Sequence, residues 1–253
     1  MVHTEQLEPG IFLIRMQDRT HGNAFSDALT LGLLDTFAKL SLEQNCKVVV
    51  LTGYDTYFAT GGTREGLIAL HEGKGSFADT NLYSLALDFP VPVIAAMQGH
   101  GIGGGFVMGL FADFVVLSRE SVYATNFMQY GFTPGMGATC ILPEKLGLPL
   151  AEEMLFLARN FRGEELKNRG VPFPVLPRNE VFPYALELAR TIALKPRVSL
   201  IALKELLVGT LRQKLPSAVE REKAMHARTF HLAEVKENIE QRFGPAGANN
   251  NHL

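Results

Sequence analysis

Short apolar runs alternate with longer amphipathic ones along this chain. Residues 11–16 (Ile-Phe-Leu-Ile-Arg-Met) read as a strand and residues 26–44 as an amphipathic helix. Residues 47–52 form a β-branched run of the kind buried on both faces of a parallel sheet. A long loop follows, with Gly61 and Gly62 near its start and Gly73, Lys74 and Gly75 near its end. Residues 79–89 have helical spacing, with Leu82, Leu85 and Leu87 among the apolar positions, and residues 91–97 read as a second buried strand. Residues 103–110 start a helix whose first turn is glycine; residues 114–117 and 122–124 are further short strands. From Gly135 nearly everything reads as helix, apart from a Pro-rich connection at residues 172–177. Alternating β and α units followed by a helical last third predict an α/β protein. The expected division is a core over 1–195, a C-terminal helical region over 196–244, and a frayed Ala, Gly and Asn-rich tail over 245–253.

Composition narrows the partners. A hydrophobic fraction of 47% in 253 residues supplies a sizeable core. The net charge of −2 offers no global basic field, so neither nucleic acid nor a membrane surface is expected. Cys46 and Cys140 are too far apart in sequence to suggest a disulfide framework or a zinc site. No signal-peptide pattern or bilayer-length apolar stretch is read, so the expected location is cytoplasmic.

The chemistry concentrates in two glycine clusters that follow buried strands, Phe58-Ala59-Thr60-Gly61-Gly62 and Gly99-His100-Gly101-Ile102-Gly103-Gly104-Gly105. Glycine lets backbone approach a ligand closely, and a helix start presents free N–H groups. Two such donors can clamp an oxygen that becomes negative during reaction. The plainer reading is that these glycines only make turns and tight packing. A third is dinucleotide binding, because Gly99, Gly101 and Gly104 satisfy a G-x-G-x-x-G pattern with Glu120 downstream.

Tyr57-Phe58-Ala59-Thr60-Gly61-Gly62 and the second cluster resemble the two oxyanion-hole segments of the crotonase (enoyl-CoA hydratase/isomerase) superfamily. Asp113-Phe114-Val115-Val116 and Gly131-Phe132-Thr133-Pro134-Gly135-Met136-Gly137 resemble the segments that follow them. The resemblance implies a crotonase fold: a spiral of ββα turns with a helical C-terminal region, assembled as a homotrimer or a dimer of trimers. It places the oxyanion donors at the backbone N–H groups of Gly62 and Gly104.

Two departures redirect the expected activity. The catalytic glutamates of the hydratases correspond here to Val107 and Phe127, which can neither move a proton nor activate water. Met16-Gln17-Asp18-Arg19-Thr20, Ala96-Met97-Gln98-Gly99-His100 and Asn126-Phe127-Met128-Gln129-Tyr130 are similar to one crotonase branch, the decarboxylases of β-branching polyketide biosynthesis. That resemblance implies removal of CO2 from a 3-methylglutaconyl-type thioester, leaving a 3-methylcrotonyl-type thioester. It also implies a histidine from the C-terminal helices, matched at His226, and a lysine in the loop after the first oxyanion segment. One expected loop position reads Leu70, and Lys74 is the candidate a turn later.

The local sequence puts His226 on a helix that starts at the capping-box spacing Ser217-Ala218-Val219-Glu220, with Val219, Glu222, His226 and Phe230 on one face. Glu222, one turn back, is a candidate to tune the imidazole. His100, Tyr83 and Tyr130 are further pocket candidates beside Val107 and Phe127. No His, Cys, Asp and Glu cluster has metal-ligand spacing, so no metal or resident cofactor is expected. The acyl group would arrive on the phosphopantetheine of an acyl carrier protein, or on CoA. The alternatives are a CoA-thioester hydratase or isomerase with relocated acid–base groups, and a catalytically silent partner of a synthase complex.

Overall fold

A strand–strand–helix turn repeats along the chain. The computed structural model describes residues 1–244, so the tail expected over 245–253 lies outside the described residues. The chain opens with β1 (Val2–Glu8), antiparallel to β2 (Ile11–Met16), followed by β3 (Ala24–Phe25) and α1 (Asp27–Ser41). Ser26 caps α1 by accepting the Leu29 N–H. The next turn comprises β4 (Val48–Thr52), β5 (Tyr57–Ala59), β6 (Gly61–Gly62) and α2 (Arg64–His71). A 3₁₀ turn at Leu82–Ser84 and the single-turn α3 (Leu85–Asp88) lead to β7 (Val93–Met97), β8 (His100–Ile102) and α4 (Gly104–Leu110). β9 (Phe114–Ser118), β10 (Val122–Ala124), a 3₁₀ turn at Asn126–Tyr130 and α5 (Ala138–Leu146) form the next turn. Then follow α6 (Leu148–Leu157), β11 (Phe161–Arg162), α7 (Gly163–Asn168), β12 (Val175–Leu176), α8 (Arg178–Ala193), α9 (Arg197–Thr229) and α10 (Ala233–Phe243).

Six strands form one sheet, in the order β1-β2-β4-β7-β9-β12, four form a smaller one, β11-β10-β8-β5, and β3 pairs in parallel with β6. Side chains alternate between two cores. Val49 and Leu51 of β4, with Val93, Ala95 and Met97 of β7, face the larger core. Val48, Val50, Ile94 and Ala96 face the other way, onto Val181, Ala185 and Ala189 of α8. Spacing of four places those three α8 residues on one stripe. Burial on both faces explains why these strands read as unbroken apolar runs.

Several boundaries differ from the sequence expectation. The long loop after β4 holds two short strands and α2, whose N-cap Thr63 accepts the Gly66 N–H at 3.0 Å. Residues 79–89 do not form a continuous helix: Leu82, Tyr83, Ala86 and Leu87 are all buried, so their apolar character anchors a connection rather than marking a helical face. β1, unread in the sequence, is held by pairing to β2 although most of its side chains are exposed. Ser217 starts no helix, because α9 runs unbroken for 33 residues with Pro216 inside it. α9 is fastened to the core by buried Lys204, whose Nζ donates to Asp113 Oδ2 at 2.7 Å and to the carbonyls of Ala86 and Val91.

Candidate active site

The two glycine segments meet. Gly61, at φ +79°, lies so close to the second segment that a Cβ there would sit 3.0 Å from Ile102 O and 3.1 Å from Gly104 N. Gly103, at φ +54°, is the N-cap of α4, and its own N–H donates to Ala124 O at 2.7 Å. Gly104 is then the first helical residue, whose N–H has no partner within the helix. On the facing segment, Gly62 ends β6, beside β3 and just ahead of the α2 N-cap. A side chain at Gly105 would collide with the carbonyl of Ala59, so the close packing of α4 on β5 needs glycine there. The sequence-nominated donors, Gly62 and Gly104, are therefore brought to one place.

Around them the side chains are hydrocarbon. Val107 is fully buried in α4 and Phe127 is buried in the 3₁₀ turn, its ring 6.2 Å from that of Phe132. Met136, with φ +62°, packs its sulfur against Gly104. The preceding residue, Gly135, touches His226: a Cβ there would lie 2.5 Å from the imidazole Cε1. One segment thus separates the backbone donors from the histidine and contacts both.

His226 sits on α9 with Val219 and Glu222, and Phe230 caps the helix a turn later on the face the spacing predicts. Its Nε2 lies 2.8 Å from Thr133 O. A carbonyl only accepts, so Nε2 carries the hydrogen and Nδ1 of the neutral ring keeps its lone pair. Phe77 and Phe230 present their rings at 5.3 and 5.6 Å. Burial pushes the imidazole pKa down, opposed by the carbonyls of Thr133 and Pro134. Glu222 does not tune it. Its buried carboxylate accepts the N–H of Gly137 at 2.7 Å and both the N–H and hydroxyl of Thr139, at 2.8 and 2.6 Å, at the start of α5.

A cavity of about 310 Å³ opens on His226, walled by His71, Phe77, Lys223, Phe230 and His231. Lys74 is not among its lining residues, although Gly73 and Gly75 on either side of it are. The Lys74 side chain is 71% exposed and its ammonium pairs with Glu72 at 2.7 Å. Sequence reasoning missed Lys223 and His71. The signal for Lys223 was present, since it lies three residues before His226 on one helix. His71 places Nδ1 2.8 Å from Phe230 O, a contact across 159 residues that no local pattern announces.

The remaining candidates are dispersed. His100 accepts the Val122 N–H at Nδ1, tying β8 to β10, and lies outside the His226 cavity. Burial, with Arg178 and Arg162 adding to it, lowers its pKa to about 4. Tyr83 is buried against Phe111 and lines an adjoining cavity of about 480 Å³ that Lys223 shares. Tyr130 stacks between Phe132 and Phe243, and burial raises its phenol pKa. Glu120, the ribose contact of the dinucleotide reading, instead accepts from the Ser118 hydroxyl and the Arg178 N–H at the start of α8.

A family model for enoyl-CoA hydratase/isomerase matches residues 6–243. The chain belongs to that family. Its fold is the crotonase fold, as the resemblance implied. Within the enoyl-CoA hydratase/isomerase family it is 58% identical over 244 residues to the bacillaene synthase decarboxylase PksI of Bacillus subtilis (strain 168), covering 96% of this chain and 98% of that protein. A solved structure described as a dehydratase/decarboxylase enzyme couple of polyketide β-branching superposes with a TM-score of 0.95 at 58% identity, over 96% of this chain and 99% of the other. The ECH2 decarboxylase domain of CurF from Lyngbya majuscula superposes with a TM-score of 0.92 at 46% identity, with the same coverage.

Proposed function

We propose that this chain is a decarboxylase of polyketide β-branching, acting on a 3-methylglutaconyl-type thioester. The observation that carries the reading is the pairing of two converged glycine segments with hydrocarbon, Val107 and Phe127, where the hydratases hold their acids. Similarity to decarboxylases over nearly the whole chain supports it.

The chemistry follows from that pairing. The bond from the γ-carbon to the carboxylate breaks and CO2 leaves. The electron pair moves through the double bond to the thioester oxygen, giving a dienolate. The N–H groups of Gly62 and Gly104 are aimed at that oxygen in this proposal, and one such donor is typically worth about 3 kcal/mol in a dry site. No water need be activated, so the missing acids cost nothing. His226 takes up a proton at Nδ1 from solvent through the cavity and passes it to the dienolate, returning to the neutral ring while the Nε2 hydrogen stays directed at Thr133 O.

The acyl chain is proposed to arrive on the phosphopantetheine of an acyl carrier protein, and the reaction as written draws on no metal or resident cofactor. A homotrimer follows from the family resemblance. Leu203, Leu206 and Leu207, exposed on one side of α9, supply apolar surface suited to a second copy. Among the described residues no helix is long and apolar enough to cross a membrane. The free thiols Cys46 and Cys140 suit the reducing cytoplasm we infer.

The test is mass spectrometry of a 3-methylglutaconyl carrier-protein thioester incubated with wild type and with His226→Ala. Loss of one CO2 with wild type, much slowed in the variant, supports the reading. An unchanged substrate mass, or a gain of water, overturns it.

A further inference from the structure

We propose that Lys223, on α9, is the cation that receives the substrate carboxylate. This rests on the decarboxylase reading and assigns the group that holds the leaving end of the substrate. The resemblance called for a lysine in the loop after the first oxyanion segment, yet the Lys74 ammonium is exposed, engaged by Glu72 and outside the cavity wall. Lys223 is the one lysine or arginine among the residues lining the His226 cavity. It also lines the adjoining cavity of Tyr83, so its side chain stands where the two spaces meet. Residues three apart are neighbours on a helix surface, which puts the ammonium stem and the imidazole side by side.

The present partner of Lys223 is easily exchanged. Nζ lies 3.0 Å from Glu220 Oε1, with the two side chains 45% and 69% exposed. Such surface pairs are typically worth about 0–1 kcal/mol, so a carboxylate entering the less solvated cavity can draw the ammonium across. Arg212, the other cation of the adjoining cavity, is less free: it donates to Leu87 O at 2.6 Å and lies 3.7 Å from Asp88. Lysine also suits the chemistry. A point charge on a flexible stem orients a carboxylate without the two-point grip of arginine, which would favour the bound anion and oppose CO2 loss. Once neutral CO2 has formed, the ammonium has no anion in the cavity and returns to Glu220.

The experiment uses a 3-methylglutaconyl pantetheine thioester as substrate and the 3-methylcrotonyl pantetheine thioester, which lacks the carboxylate, as competitive inhibitor. Lys223→Gln is expected to lower kcat/KM at least tenfold, chiefly through KM, and to leave the inhibition constant within twofold. Lys223→Arg should restore KM with reduced kcat. Glu220→Gln, which removes the competing carboxylate, should lower KM, and Lys74→Gln should match wild type within twofold. Lys223→Gln kinetics like those of an active wild type overturn the assignment, as does a comparable loss in Lys74→Gln. A wild type that releases no CO2 overturns the decarboxylase reading first, and the role of Lys223 with it.

Discussion

Nε2 of His226 lies 2.8 Å from the carbonyl oxygen of Thr133, so that nitrogen carries a hydrogen and Nδ1 is the ring nitrogen left to exchange protons. The bond joins α9 to the segment that also packs on Gly104. His226→Gln keeps an N–H donor that can reach Thr133, whereas His226→Ala removes the donor and opens space among Phe77, Phe132 and Phe230. We expect the alanine variant to lose about 1–3 kcal/mol of stability and the glutamine variant under about 1 kcal/mol. Both should lose proton delivery. Thermal denaturation run beside product mass separates the two roles; equal stability of the variants would show that the bond to Thr133 contributes nothing.

His100 predicts a pH dependence of stability. Its pKa falls from 6.5 to about 4 in the folded protein, chiefly through burial. As pH drops below about 6.5 the unfolded chain takes up the proton first, so stability is fully present above that pH and is lost progressively toward pH 4. Full loss amounts to roughly 3 kcal/mol. His100→Asn retains an acceptor for the Val122 N–H without titrating there. Its melting temperature should fall less than that of wild type between pH 7 and pH 4, and parallel curves would contradict the assignment.

Glu222 holds the start of α5 through three hydrogen bonds, two of them from backbone N–H groups. Glu222→Leu leaves those donors without an acceptor and should cost about 2–4 kcal/mol. Glu222→Gln retains one acceptor oxygen and should cost about half as much. Because Gly137 continues the segment that touches Gly104 and His226, decarboxylation should fall in the same order. Chemical denaturation of both variants checks the ranking.

The two glycines proposed as oxyanion donors should respond differently to alanine. A methyl at Gly104 would collide with the Met136 sulfur and approach Phe25, so either Met136 or the first turn of α4 must shift. One at Gly62 would meet only the flexible end of Leu67, at 3.1 Å. We expect Gly104→Ala to lower kcat by about a hundredfold, the scale of losing one oxyanion donor, and Gly62→Ala to stay within about threefold. Steady-state decarboxylation rates decide; similar losses in both would mean that the N–H of Gly104 is not specially placed.

Much of this architecture is legible without coordinates. The buried runs of β2, β4 and β7 stand out because strands covered on both faces keep no polar side, and the face carrying Val219, Glu222, His226 and Phe230 follows from helical spacing. What escapes local reading is set by distant partners. β1 carries mostly exposed side chains and exists because β2 offers it an edge. Pro216 and Ser217 look like a helix start, yet α9 continues through them because its neighbouring turns are packed on the core. Lys204 has no motif at all; its place is created by Asp113 and two carbonyls from other parts of the chain.

For the site, the order of residues alone determined which chemical groups exist: two glycine segments able to offer backbone N–H groups, hydrocarbon at Val107 and Phe127, and a histidine at position 226. Spacing along a chain decides such matters because helix and strand geometry are local. Tertiary structure decided which groups share a cavity. It set Gly61 against Gly104, turned Glu222 to the start of α5, left Lys74 in solvent and gave Lys223 and His226 a common cavity. Those outcomes depend on where loops of variable length end and on which burial is cheapest for a charge, and packing across the whole molecule settles both.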